Sequence, residues 1–372
     1  MIQQQEQNLP HDEPVSTIEP VVHFMGGPMP TGVTVSHEGR IFVCFPKWGD
    51  KVDFTVAEIK DSQAMAYPDQ ETNNTDPNDL AKALVSVQSV VVDPLNRLWM
   101  LDTGSPEFKP TSFGGPKLVG VDLQSNTIFK KILFPPDVAL PTTYLNDVRF
   151  DLRRGKEGMA FITDSADKGP NAIIVVDLAS GESWRKLHEH PSTKAEGLST
   201  FLPIVEGKPF MERPADGPPK PVTMASDGIT LNADGTRLYY CPLASRKLYS
   251  VSVDALVNRT SDESAVAKSV VDEGEKGSGS DGLECDSENR IYATSYEHNA
   301  ILRRSGDGQY ETVAHDPRML WPDTMSLATD GYLYFTCNQL HRQAKYQGGQ
   351  DRRVKPYTLF RVRVDAQPVL LK

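Results

Sequence analysis

The chain has 372 residues, 38% hydrophobic and 24% charged, with 50 acidic against 39 basic side chains and a net charge of -11. A surface of that sign repels a phosphate backbone, so nucleic acid is excluded as an expected partner. No run of 18 apolar residues is present to cross a membrane, so no membrane partner is expected either.

The first 16 residues are polar and read as a disordered tail ahead of a single domain over 17–372. The start has neither a basic n-region nor an apolar h-region, so this form is expected to carry no signal peptide and reads as cytoplasmic. Val21-Val22-His23-Phe24 then forms a strand before Gly26-Gly27-Pro28. Beyond it one pattern recurs six times: a polar step, an apolar strand, a turn, and a second apolar strand. The copies open at Thr31-Gly32-Val33, Gln88-Ser89-Val90, Asn146-Asp147-Val148, Asp227-Gly228-Ile229, Asp281-Gly282-Leu283 and Asp323-Thr324-Met325. Each is followed by two further β-branched or aromatic runs bounded by Gly, Asp, Asn or Pro, as antiparallel strands require. The fourth run of the fourth repeat reads as 267–271, and 77–85 has the pattern of a short helix.

Self-similarity at roughly 40–60 residues marks a propeller, because one such unit cannot bury its own apolar face. The expected fold is all-β, a six-bladed β-propeller. The last repeat is one strand short, and the N-terminal strand is expected to complete it and close the ring, which removes exposed edges. In up-and-down blades the second-to-third loop and the loop to the next blade emerge on one end. The insertions at 71–84, 103–116, 191–221 and 341–356 all fall in those two classes, so one end is expected to be the working face.

Aligning the repeats on the polar step gives the column Thr31, Gln88, Asn146, Asp227, Asp281 and Asp323. Innermost strands crowd the axis, so these side chains are expected to converge at the mouth of the channel. Three carboxylates with an amide oxygen suit a hard divalent cation such as calcium, zinc or manganese. Without one, like charges so close would raise a carboxyl pKa and make a proton carrier. For a single Asp-Gly the plainer reading is turn chemistry, with the carboxylate capping backbone N–H groups.

Other signals point to less. Gly277-Ser278-Gly279-Ser280-Asp281-Gly282 matches G-x-G-x-x-G but precedes a strand, so no nucleotide cofactor is expected. Cys44, Cys241, Cys285 and Cys337 sit in strand patterns and read as unpaired core residues. Asn73-Asn74-Thr75 and Asn258-Arg259-Thr260 are glycosylation sequons, meaningful only in a secreted eukaryotic product. The basic cluster Arg342, Lys345, Arg352, Arg353 and Lys355 reads as a solvated loop, with the holding of an anion as its functional alternative.

Phe45-Pro46-Lys47-Trp48, Tyr67-Pro68, Leu98-Trp99-Met100-Leu101-Asp102-Thr103-Gly104, Ser183-Trp184-Arg185, Pro242-Leu243-Ala244-Ser245 and Trp321-Pro322-Asp323, in this order, resemble the major royal jelly / Yellow family, and more distantly the gluconolactonase-like propellers. The resemblance runs from about residue 30 to about 364 and implies a ligand cavity on the loop-rich end, in a family that is often secreted. It implies no single activity. The gluconolactonase group implies a cation held by Asn146, Asp227 and Asp281, although Thr31 stands where those relatives carry a first-blade glutamate. The expected function is lactone-type hydrolysis, with a free Asp281 or Asp323 as general base. The alternatives are a metal-free isomerase or tautomerase of a cyclic metabolite, and a binder of small amines or aromatic ligands. In that binder the ring, including Thr31 and Gln88, would act with Trp48, Tyr144 and Trp321 by charge and cation–π contact. The expected partner is therefore a small molecule.

Overall fold

In the computed structural model, which describes residues 12–372, six four-stranded antiparallel sheets stand around one axis. Their innermost strands are Val33–Val35, Val87–Val92, Leu145–Asp151, Ser226–Leu231, Leu283–Cys285 and Pro322–Leu327, which open blades one to six. The ring closes as expected. Ile18–Phe24 pairs with Tyr357–Arg363, from Ile18 opposite Val362 to Phe24 opposite Tyr357, and supplies the fourth strand of blade six. Residues 1–11 of the expected tail lie outside the described residues. Within its remainder, Val15 exchanges both backbone hydrogen bonds with His315, at 2.9 and 3.0 Å.

The repeated turn between first and second strands has a physical reason. Four residues after the last inner-strand position, the chain takes a left-handed φ, at Gly39 (84°), Asn96 (62°), Gly235 (68°), Asn289 (67°) and Gly331 (82°). Glycine and asparagine tolerate that region best. In blades two and five the turn is also bolted by an aspartate. Asp93 accepts from the backbone N–H of Arg97 and the indole of Trp99, while Asp286 accepts from Arg290 and Tyr292.

Apolar side chains of adjacent blades interlock between the sheets. Trp99 of blade two stacks on Phe150 of blade three with centroids 5.3 Å apart, inside a cluster that includes Leu118, Leu145 and Ile162. Fully burying side chains of this size contributes roughly 1.5–3 kcal/mol each. All four cysteines are buried and free.

Three local expectations are corrected. The helical turn expected over 77–85 forms instead at Gln70–Asn73, where Asp69 caps the N–H of Thr72 at 2.7 Å. The fourth strand of blade four is Val271–Glu275, because residues 253–257 and 263–268 coil into two short helices that pack Leu256 and Val266 on its core. The Asn73 sequon is structural, since its buried amide accepts from the N–H groups of Thr55 and Val56 and donates to two carbonyls.

Candidate functional site: an acidic floor under aromatic walls

The polar steps of blades one, two and four are held by the blade before them. A residue at or next to the end of the second strand reaches across to hold the next polar step by its carbonyl. Cys44 donates to Gln88 O at 3.0 Å, Thr163 to Asp227 O at 2.7 Å, and Thr336 to Thr31 O at 2.6 Å. The glycines following these steps serve the same contact. A Cβ on Gly228 would lie 2.6 Å from Asp281 O, and one on Gly282 would lie 2.5 Å from Asp323 O. Neither glycine has a positive φ. The Asp-Gly pairs are therefore close-approach points between blades, and the turn-chemistry reading is set aside.

Above this ring lies a cavity of about 780 Å³, walled by second-to-third and blade-to-blade loops. Its floor carries Gln88, Asn146, Asp227, Asp281 and Asp323, and Trp48 and Tyr144 stand in its wall. Two expected ligand contacts are not part of the lining. Thr31 is buried beneath it and donates to Gln88 O at 3.0 Å. Trp321 is fully buried behind the floor, where it donates its indole N–H to Asp281 Oδ2 at 2.7 Å.

The carboxyls form a proton-sharing set. Asn146 donates to Asp227 Oδ2 at 2.7 Å and to Ser165 Oγ at 2.8 Å. Asp227 is hydrogen-bonded in turn to Asp281. Burial, with the charges of Asp281 and Asp323 behind it, pushes Asp227 well above the ordinary carboxyl range, so it carries the shared proton. Burial raises Asp281 to about 6, against the opposing pull of hydrogen bonds from Trp321 and Asp227. Asp323 is raised by burial and then by the charge of Asp281, while Thr324 and Asn338 donate to its two oxygens at 2.9 and 2.6 Å. One tier deeper, Asp147 accepts from Ser89 at 2.6 Å and Arg149 at 2.8 Å, and its negative charge also disfavours ionisation of Asp281.

The wall is aromatic on two sides. Trp48 stacks on Phe108 at 5.6 Å, Phe108 meets Tyr144 at 5.1 Å, and the Trp48 indole donates to the Tyr144 hydroxyl at 2.6 Å. Tyr144 donates onward to Gln88 Oε1 at 3.0 Å, and its backbone N–H is fixed by the buried Asp164. Opposite, Tyr346 lines the cavity in contact with Phe210, which packs on Trp321. Lys345 reaches between the walls, 5.8 Å from the Phe108 ring and 5.6 Å from that of Tyr346, paired with Glu212. Phe108, Ser165 and Tyr346 were not singled out from the sequence, and Lys345 was named there only within the basic cluster of its loop. Phe108, Lys345 and Tyr346 lie in insertions already assigned to the working face, and that address was their only signal.

A cation at Asn146, Asp227 and Asp281 would take up oxygens that already share protons. Asn146 presents an N–H to Asp227, burial and the neighbouring carboxylates disfavour the ionised Asp227 that a metal would need, and Thr31 is turned away. Among the described residues no three His, Cys, Asp or Glu side chains are grouped to hold a metal ion. As arranged, the donor set does not fit a divalent cation, and no step below runs through one.

Fold and site together define a six-bladed propeller with a cavity of about 780 Å³ on its loop-rich end. Residues 85–369 match the profile of the major royal jelly protein family, and the chain belongs to that family. It is 26% identical to Protein yellow of Drosophila erecta over 249 residues, and 27% identical to that of Drosophila pseudoobscura pseudoobscura over 246. These matches cover 62% and 61% of this chain but only 42% and 40% of the relatives' length. Among solved structures, the fold is similar to a calcium-binding regucalcin from Agrobacterium tumefaciens (TM-score 0.56, 15% identity, 94% of this chain and 99% of that one). It is also similar to a luciferin-regenerating enzyme (0.58, 12%, 96% and 99%) and a gluconolactonase from Xanthomonas campestris (0.54, 10%, 95% and 95%). At these identities the likeness is one of fold.

Proposed function

We propose that this propeller is a small-molecule enzyme that moves a proton on a planar cyclic substrate, an isomerase or tautomerase working through Asp227, Asp281 and Asp323. The observation that carries the reading is the set of three buried carboxyls, Asp227, Asp281 and Asp323, on the floor of an aromatic-walled cavity. Of these, Asp227 holds a proton and Asp281 is poised to accept one near neutral pH, which general acid–base catalysis requires.

In the step we envisage, ionised Asp281 removes a proton from the carbon beside a ring carbonyl. The C–H electron pair becomes the new C=C bond, the C=O π pair moves onto oxygen, and that oxygen takes a proton from the Asp227 carboxyl, while the Asp323 charge tunes the pair. The proton passes along the Asp227–Asp281 bond to reset the pair, with no net oxidation or reduction. Lactone hydrolysis, the principal expectation from sequence, would use Asp281 as base towards water instead. The same charges and rings also favour a second reading: three carboxyls beneath Trp48, Phe108 and Tyr144 suit a cationic aromatic amine.

One assay separates the three readings. Proton NMR in D2O follows a panel of enolisable cyclic ketones, lactones and aromatic amines with the intact protein. Deuterium entering the α-carbon, or a shifted double bond, is expected, and Asp281→Asn should abolish it. Ring-opened acid would replace this reading with hydrolysis, and amine line broadening without turnover would replace it with binding.

A further inference from the structure

Beside the main cavity lies a second pocket of about 310 Å³, between the 191–221 and 341–356 insertions. Its lining includes Lys208, Arg213, Arg342 and Arg352, with Glu206 as its one carboxylate. Glu206 already binds Arg342 and accepts from or shares a proton with His341 Nε2 at 2.9 Å. The Lys208 and Arg352 side chains have no ion-pair or hydrogen-bond partner among the described residues. His341 also lines the pocket. It is 3% exposed, and its Nδ1 has no hydrogen-bond partner. A buried ring nitrogen without a partner is destabilising, and a ligand that hydrogen-bonds to it removes that cost.

A tight hairpin turn lies at the edge of the pocket. Glu206 and Gly207 both adopt left-handed φ values, 49° and 74°, in the two-residue turn joining Ile204–Val205 to Lys208–Pro209. Turns of this handedness are the ones hairpins favour, but they strain a residue such as glutamate. The turn carries the Glu206 carboxylate onto His341 and Arg342 and sets Lys208 beside them.

We infer that this pocket is a second ligand site, for a small molecule bearing an oxyanion: a carboxylate, phosphate or sulfate group. The free Lys208 and Arg352 supply the charge, and Arg213 and Arg342 add further donors. Arginine suits an oxyanion through its planar fork, and lysine as a point charge. The buried, unpartnered His341 Nδ1 adds a further polar contact. The site is independent of the reading of the main cavity but adjoins it. Tyr346 lines both spaces. His341 stacks on Trp321 with centroids 5.8 Å apart, and Trp321 donates to Asp281.

The test is isothermal titration of the intact protein with inorganic phosphate, sulfate and citrate at physiological ionic strength. Saturable binding of at least one of them at one site per chain is expected. The double variant Lys208→Ala/Arg352→Ala removes only unpaired surface cations, and should weaken that binding by about tenfold or more. Lys168→Ala, at the rim of the main cavity, should leave it unchanged. His341→Phe keeps the stack on Trp321 and should also lose affinity. No saturable binding of any of the three anions, or equal affinity in the double variant, overturns the assignment. So does a loss in Lys168→Ala matching that of the double variant, which would move the anion to the main cavity.

Discussion

Trp321 donates its indole N–H to Asp281 Oδ2 at 2.7 Å from a backbone held at φ 59°, a left-handed conformation rare for a large side chain. Such a residue costs of order 1–3 kcal/mol and persists only where its surroundings fix it. Here they do: the ring lies flat on Tyr296, with centroids 4.3 Å apart and planes 8° from parallel, and His341 and Phe210 also pack against it. The strain aims one N–H at the floor carboxylate that proton transfer would use.

Replacing Trp321 by Phe keeps the stack and deletes that donor. The hydrogen bond favours the ionised form of Asp281, so its loss raises the Asp281 pKa above about 6. If Asp281 is the base, the acid limb of the turnover profile should move to higher pH by roughly one unit, with KM little changed. A pH–rate profile of Trp321→Phe that overlays that of the parent would remove Asp281 from the role.

Asp227→Asn tests the shared proton. The amide can accept from Asn146 through its oxygen and donate to Asp281 through its nitrogen, reproducing both bonds. What it cannot do is release or take a proton. Turnover should fall by roughly 10²–10⁴-fold, while the urea midpoint stays the same or rises because a crowded acid is gone. Loss of folding in this variant would show that Asp227 is needed for structure in a way its geometry does not suggest.

The pH dependence of stability has a definite sign. Asp281 is raised from an ordinary 3.8 to about 6 by burial, so the folded protein holds this proton more tightly than the unfolded chain. The associated stability is fully present below pH 3.8 and is lost as pH rises through about 6. Relative to Asp281→Asn, the parent should lose roughly 2–3 kcal/mol over that window. Denaturant unfolding of both proteins from pH 4 to 7 measures it, and parallel curves would contradict the buried titration.

Much of this arrangement was legible in the chain, and the reason is periodicity. Six copies of one pattern fix six inner strands, and the polar column placed Gln88, Asn146, Asp227, Asp281 and Asp323 on one floor before any coordinates. What periodicity does not carry is direction within a loop. Thr31 occupies its column but turns its hydroxyl down to Gln88 O, and Trp321 contacts the carboxylate from behind. Phe108 and Tyr346 reach the cavity through loop backbones, Phe108 with a left-handed φ of 56°, which no repeat dictates. The two helices at 253–268 escaped for the same reason: they interrupt one blade only.

Gly282 is where the ring tolerates no side chain. A Cβ there would sit 2.5 Å from Asp323 O and 3.1 Å from Thr324 Cα, both backbone atoms that cannot swing away. Gly282→Ala should therefore destabilise by about 1–3 kcal/mol or more and push blade six outward. A substitution as small as this at Gly306, which has nothing within 4 Å, should cost almost nothing and serves as the control. Equal melting temperatures for the two variants would disprove the close-approach account of the Asp-Gly steps.

Metal content decides between the proton-shuttle reading and the cation expected from sequence. Asn146, Asp227 and Asp281 spend their facing atoms on one another, so binding a divalent ion would require breaking the Asn146–Asp227 and Asp227–Asp281 bonds and expelling the shared proton. Ligands must be deprotonated to bind metal, and a carboxyl held well above its ordinary pKa resists that. Mass spectrometry of protein purified without chelator is expected to find calcium, zinc and manganese well below one per chain. Dialysis against chelator should leave NMR-detected turnover unchanged. One tightly held ion per chain, lost together with activity on chelation and restored with it, would instead place the cation on these three residues and return lactone hydrolysis to first place.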